Sequence, residues 1–318
     1  MLSSTADHLF WMARSIERAE NTARMLDITY KMSLLKHATL EPAHEWSAVL
    51  SISGLYDVFS SKHGEPGAAS VIRFMALDEA NPASIYSSLK AARENARAVR
   101  GSITSEMWET LNATWLEIKS IAARGIPRDG VSDFFEWVKE RSHLSRGITY
   151  GTMLRDEGFR FIRLGTFLER ADNTMRILDV KYHVLLPSLH DVGGVVDYYQ
   201  WSALLRSVSG FETYRRVYRD VITPRRVAEL LILRADMPRS LHACVEEINL
   251  QILALNGPRS EELLRLSGRL YSELRFGRIE EIMAEGLHEY LTRCLLRLRT
   301  LGEAISTTYF WGDGDWAA

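Results

Sequence analysis

One segment of this chain occurs twice, and that recurrence limits the fold more than any other feature. Residues 17–30 read Glu-Arg-Ala-Glu-Asn-Thr-Ala-Arg-Met-Leu-Asp-Ile-Thr-Tyr, and residues 169–182 read Glu-Arg-Ala-Asp-Asn-Thr-Met-Arg-Ile-Leu-Asp-Val-Lys-Tyr. Two later blocks follow in the same order: Trp46 to Leu50 answers Trp201 to Leu205, and Asn81 to Ile85 answers the run Met237-Pro-Arg-Ser-Leu241. Matched blocks at a near-constant offset are the mark of tandem duplication. They predict a first repeat over 1–153 and a second over 154–318.

The apolar spacing is helical nearly everywhere, with no period-2 alternation that would make strands. Helices are predicted near 4–35, 43–60, 68–78, 83–101, 105–124 and 131–153, then 156–186, 195–217, 224–234, 238–256, 258–274 and 277–308. Turn residues separate them at Glu41-Pro42, 63–67, 125–130, Leu186-Pro187, 191–194 and 256–258. Ser84 and Ser240, each two residues after a proline, are expected to cap the helices that follow. The junction between copies carries no Ser/Gly-rich linker. The expected fold is therefore all-α, a helical bundle of two related six-helix repeats packed as one body, with a rough two-fold relation between them.

On a helical wheel, Asn21 and Arg24 fall within roughly 40° of Glu17, and Arg14 lies near 60°. Ile16, Ala19, Ala23, Leu26 and Tyr30 gather opposite. Glu169, Asn173 and Arg176 share a face in the second copy, opposite Leu168, Ala171, Met175, Leu178 and Tyr182. Yet Ile28 and Val180 lie on the polar side, with Met25 and Ile177 near it. Apolar residues recurring on a polar face imply burial, and buried charges must be paired. Glu17 can reach Arg14, Arg18 or Arg24 at helical spacing, or an arginine of the other copy. Arg170 stands in the same position as Arg18. This set is either a polar network that docks the repeats or a pocket for an anionic or peptide-like ligand. The residues favour the network.

Net charge is −2, which gives no electrostatic case for nucleic acid. No apolar run reaches the length of a membrane span, and the N-terminus lacks the pattern of a secretory signal. The two cysteines, Cys244 and Cys294, match no zinc or redox spacing. A cytoplasmic protein is expected. No phosphate-binding glycine loop, nucleophile elbow or zinc-protease motif occurs, so no cofactor and no metal is expected. Three Glu-x-x-His pairs, Glu41/His44, Glu140/His143 and Glu285/His288, resemble half-sites of helical di-iron proteins. They do not fall at matched positions in the two copies, which argues for coincidence. Arg93, Arg97 and Arg100 stand about a turn apart, either as a salt-bridged face or as a docking surface for an acidic partner. Trp11, Trp46, Trp108, Trp115, Trp137 and Trp201 read as core, with Trp46 and Trp201 anchoring the second helix of each repeat. The tail after Phe310 is too short and glycine-rich to add structure, unless Trp311 pins the last helix.

These motifs together resemble the alpha-E domain family, bacterial all-helical proteins named for their Glu-Arg motif. The resemblance rests on Phe10 to Arg14, Glu17 to Arg24, Asn81 to Ile85, and Ala92 to Arg97 with Trp108 and Asn112. Phe161 to Arg170 and Met237 to Leu241 extend it over essentially the whole length. The sequence departs modestly from the family pattern at Ala83 and Met237. The resemblance implies partners rather than a reaction: genes of this family tend to lie beside a circularly permuted ATP-grasp protein and a transglutaminase-like protease. The implied role is a non-catalytic accessory, scaffold or substrate-handling protein of a peptide ligase or peptide-modification system. The alternative is an enzyme with a carboxylate–arginine site on the duplicated helices. The sequence sets no oligomeric state.

Overall fold

The structure, a computed structural model, describes residues 1–34, 42–184, 195–255, 257 and 260–310. Fifteen α-helices and no strand occur among them. In the first half they are α1 (Ser3–Ser33), α2 (Pro42–Ile52), α3 (Tyr56–His63), α4 (Ala68–Ala76), α5 (Ile85–Ala98), α6 (Ser105–Arg124) and α7 (Val131–Thr152). The second half holds α8 (Glu157–Val184), α9 (Val195–Ser207), α10 (Phe211–Tyr218), α11 (Pro224–Ile232) and α12 (Leu241–Ala254). It ends with α13 (Glu261–Phe276), α14 (Ile279–Glu285) and α15 (Leu287–Tyr309). No described helix is long and apolar enough to cross a membrane.

Three of the twelve predicted helices are each two. The span 43–60 breaks at Gly54, with φ +67°, and 277–308 breaks at Gly286, with φ +105°. Such backbone is open to glycine and strained for other residues. The span 195–217 breaks at Ser209, which adopts φ +54° without being glycine, followed by Gly210. Short polar residues in continuous helical patterns hid these corners. The six-helix count per repeat is therefore corrected to seven and eight among the described residues. The expected caps form: Ser84 Oγ accepts from Ser87 N, and Ser240 Oγ accepts from Ala243 N. The expected features at Glu41-Pro42, Glu41/His44, Leu186-Pro187, 191–194, 256–258 and after Phe310 fall wholly or partly outside the described residues, as do the side chains of Val180 and Tyr182.

α1 packs against α2, α4, α5, α7, α8, α9 and α15, and is buried on nearly every side. A helix in that position must be apolar or internally paired all round. Its N-terminal part, Ala6 to Ile16, belongs to a hydrophobic core shared with α5, α6 and α8–α15. From Ala19 to Leu26 it belongs to a second core with α2–α7. Glu17 and Arg18 stand at the seam between the two cores. Trp46 and Trp201 are fully enclosed in α2 and α9, while Trp11, Trp108, Trp115 and Trp137 are only half-buried, at core edges.

α1 and α8 run parallel. Met1 N meets Glu157 at 2.8 Å, Arg14 meets Glu169 and Glu17 meets Arg170, at sequence separations of 156, 155 and 153. They pack tightly at Gly165, where a Cβ would lie 2.3 Å from the Phe10 carbonyl oxygen. Only a residue without Cβ fits there. α15 runs antiparallel to both: Phe310 packs on Phe10 and Phe161, while Gly302 faces Leu168.

Candidate functional site

The parallel course of α1 and α8 brings the two Glu-Arg pairs face to face. Arg18 donates from Nε and Nη2 to the two carboxylate oxygens of Glu169, at 2.6 and 3.0 Å. Arg170 does the same to Glu17, at 2.9 and 2.9 Å. Each helix gives its glutamate to the other's arginine. The planar guanidinium matches a carboxylate through two parallel bonds, the strongest neutralising contact available to a buried acid. Glu17 is thus served across the helix interface, and neither Arg14 nor Arg24 pairs with it. Arg14 turns to Glu169 at 2.8 Å, while Arg24 takes Glu20 at 2.8 Å.

The Glu17 end is closed. Arg239, from the turn before α12, donates to Glu17 at 3.0 Å, to Asn21 Oδ1 at 3.0 Å and to Glu20 at 2.6 Å. Its backbone is fixed on α8 by the Thr174 hydroxyl, which donates to the Arg239 carbonyl at 2.8 Å, and on α12 by the Ser240 cap. Arg146 of α7 binds both Glu17, at 3.0 Å, and Glu20. The Ser142 hydroxyl completes Glu20 at 2.7 Å. At the rim, Arg24 reaches Ser209 Oγ at 2.7 Å and His143 Nε2 at 3.1 Å. Four guanidiniums surround two carboxylates that are 1% and 0% exposed, so the acids have no route to solvent.

Burial alone would push these carboxyls up. At Glu17 the guanidiniums of Arg170 and Arg239 outweigh it and hold the group below its ordinary value. Glu20 goes well below, against the same burial, through His143, Arg239 and Arg146. Glu169 is lowered by Arg14 and Arg18 against its burial. All three therefore stay ionised at neutral pH. Nearby Cys244 is fully buried and its thiol is pushed up to about 12 by that burial, which makes it inert as a nucleophile.

The Glu169 end is open. Beside it lies a cleft of about 890 Å³ between α1, α8 and α15. Trp11 and Arg14 line it from α1, with the guanidinium 4.7 Å from the indole centroid. Across it, Arg176 grips Asp172 through Nε and Nη2 at 2.6 and 3.2 Å. Arg299 of α15 pairs with Glu303 at 3.0 Å. Gly302 lets α15 approach Leu168 to 3.1 Å from where its Cβ would be.

Of the sequence-derived candidates, Arg14 and Arg18 pair with Glu169, Arg170 pairs with Glu17, and Asn21 joins the Glu17 group through Arg239. Arg24 borders the closed end and Arg176 the open one. Asn173 is half-buried on α8 and takes no part in the ion pairs among the described residues. Arg93 and Arg100 flank the Trp108 ring, at 5.5 and 5.2 Å, with Arg93 also donating to Asn112. Arg97 and Arg100 are both exposed, Arg97 at 65% and paired with Glu94. His143 and His288 turn to Glu20 and Asp179, while Glu285 turns to Arg293. Sequence reasoning missed Glu20, Arg146 and Arg239. Glu20 sits inside the repeated motif, opposite Asp172, and was readable. Arg239 occupies the position matched by Ala83, so repeat matching concealed it.

The family model described as a predicted alpha-helical domain with a conserved ER motif, Alpha-E, matches residues 1–310. Uncharacterised proteins of Mycobacterium bovis and Mycobacterium tuberculosis are 25% identical over 326 aligned residues, which cover 94% of this chain. The chain spans about a third of those relatives, 36% of their length. No solved structure matches the chain.

Proposed function

The chain belongs to the Alpha-E family, and from that premise we propose that it is a non-catalytic accessory that handles substrate for a peptide-modifying system of the ATP-grasp ligase type. The observation that carries this reading is the state of the motif carboxylates. Glu17 and Glu169 are each gripped at both carboxylate oxygens by guanidinium N–H groups, buried, and held ionised by arginines. An acid–base catalyst needs a carboxyl that can hold a proton near working pH; these are pulled the other way. The motif acts as a clasp between the halves and leaves the cleft beside it for binding. The length of the relatives supports a partner role: there the matching helical unit occupies 36% of a longer chain and is covalently joined to further sequence.

The test is co-purification of the native protein with an ATP-grasp ligase and a transglutaminase-like protein encoded in the same genome. A complex that survives gel filtration is the expected result. A protein that elutes alone and turns over peptide bonds unaided would overturn the reading. Glu17→Gln and Glu169→Gln give a second check: each should lower thermal stability and complex formation together. Intact folding with lost turnover would instead support the enzyme alternative.

A further inference from the structure

The open cleft has different chemistry at its two ends. At one end Asp7 has no ion-pair partner among the described residues. Burial pushes its carboxyl up against the lowering by His8 and a hydrogen bond from Trp11. At the other end, Arg176 leaves its Nη1 uncommitted by the Asp172 pair, and Arg299 commits only Nε to Glu303. These two guanidiniums share a level. Arg299 is one turn from Gly302, which packs on Leu168, while Arg176 is drawn back onto Asp172.

The spacing follows from helix geometry. Arg14 meets Glu169; Asp7 precedes Arg14 by seven residues and Asp172 follows Glu169 by three. At the rise of an α-helix the two ends stand about 15 Å apart. Trp11, Leu168 and Leu298 line the cleft between them, with the Ser306 and Thr307 hydroxyls on its α15 wall. An extended chain advances about 3.4 Å per residue, so a chain of roughly five residues bridges that distance.

We propose that this cleft binds a short extended peptide by both termini, its ammonium on Asp7 and its carboxylate between Arg176 and Arg299. The assignment rests on the substrate-handling reading above and names the substrate class. Apolar side chains of the peptide lie against Trp11 and the leucines, and the direction of the chain is fixed by the sign of charge at each end.

The test uses the full chain and an alanine–leucine pentapeptide in three forms: free termini, N-acetylated and C-amidated. Calorimetric titration should show the free peptide binding at least tenfold tighter than either capped form. Asp7→Asn should erase the penalty for acetylation only, and Arg299→Gln the penalty for amidation only. Arg299 is 77% exposed in its side chain, so its variant keeps the fold. Equal affinity of the three forms, absence of binding at millimolar free peptide, or variants that leave both penalties intact would each overturn the proposal. If peptide binding fails while the partner complex forms, the accessory reading stands without this site. If binding holds and the complex fails, the site stands without that reading.

Discussion

The two ends of the Glu-Arg exchange begin from the same sequence and finish differently. Around Glu17, Arg239 and Arg146 fill every approach, and Glu20 adds a second buried acid. Around Glu169 the carboxylate pairs with Arg14 and Arg18, Asp172 is half-exposed, and a cleft lies beside it. A repeated motif therefore does not assign a role by itself; what the neighbouring helices bring to it does. One end is closed by ion pairs between the halves, and the other leaves charged groups facing a cleft.

The sharpest way to break that comparison is to remove each glutamate in turn. Glu17→Ala strands Arg170 as a buried cation and leaves Arg239 paired with Glu20 alone, at a cost of about 3–5 kcal/mol. Glu169→Ala leaves Arg14 and Arg18, which already see solvent at 20% and 32% side-chain exposure, and should cost about 2 kcal/mol. Urea denaturation measures both, and equal losses would dissolve the distinction between closed and open ends. Gly165→Ala comes next: its methyl must displace the Phe10 carbonyl, with an expected loss of about 1–3 kcal/mol. An unchanged melting temperature would show that the helices are not in contact there.

Acid pH sharpens the same comparison. Glu17, Glu20 and Glu169 have folded-state values below the ordinary 4.5. The unfolded chain thus binds protons at a higher pH than the native one. Their contribution to stability is full above about 4.5 and is lost as pH falls through the folded-state values. The parent should lose stability in that window, and Glu17→Gln should lose less; parallel curves would contradict the pairing. The smallest effect belongs to Arg97→Glu. It turns one exposed pair into a like-charge contact and should change stability by under about 0.5 kcal/mol, while Arg93→Glu, tied to Trp108 and Asn112, should cost more.

The helical class, most helix positions and both serine caps were legible because periodicity, prolines and cap chemistry are local. The corners at Ser53-Gly54 and Ser209-Gly210 were not, since a single left-handed residue leaves the apolar spacing nearly intact. For the site, the wheel placed Glu17, Asn21 and Arg24 on one face but could not choose among arginines. That choice depends on α1 and α8 lying parallel at a near-constant offset, which Gly165 permits through a contact no local pattern announces. Arg239 and Arg146 lie more than a hundred residues from Glu17. They reach it only because the turn before α12 and the length of α7 converge on α1.

The reciprocal clasp has a consequence for assembly. Glutamate and arginine, adjacent on parallel helices, make a surface that is its own complement, the arrangement by which identical subunits form an isologous pair. At the level of those two ion pairs, the α1 of a second copy would serve α1 as well as α8 does. Arg239 removes that degeneracy. With no arginine at the matched position, the clasp has one distinguishable face, and the turn before α12 acts as a key that tells the first half from the second.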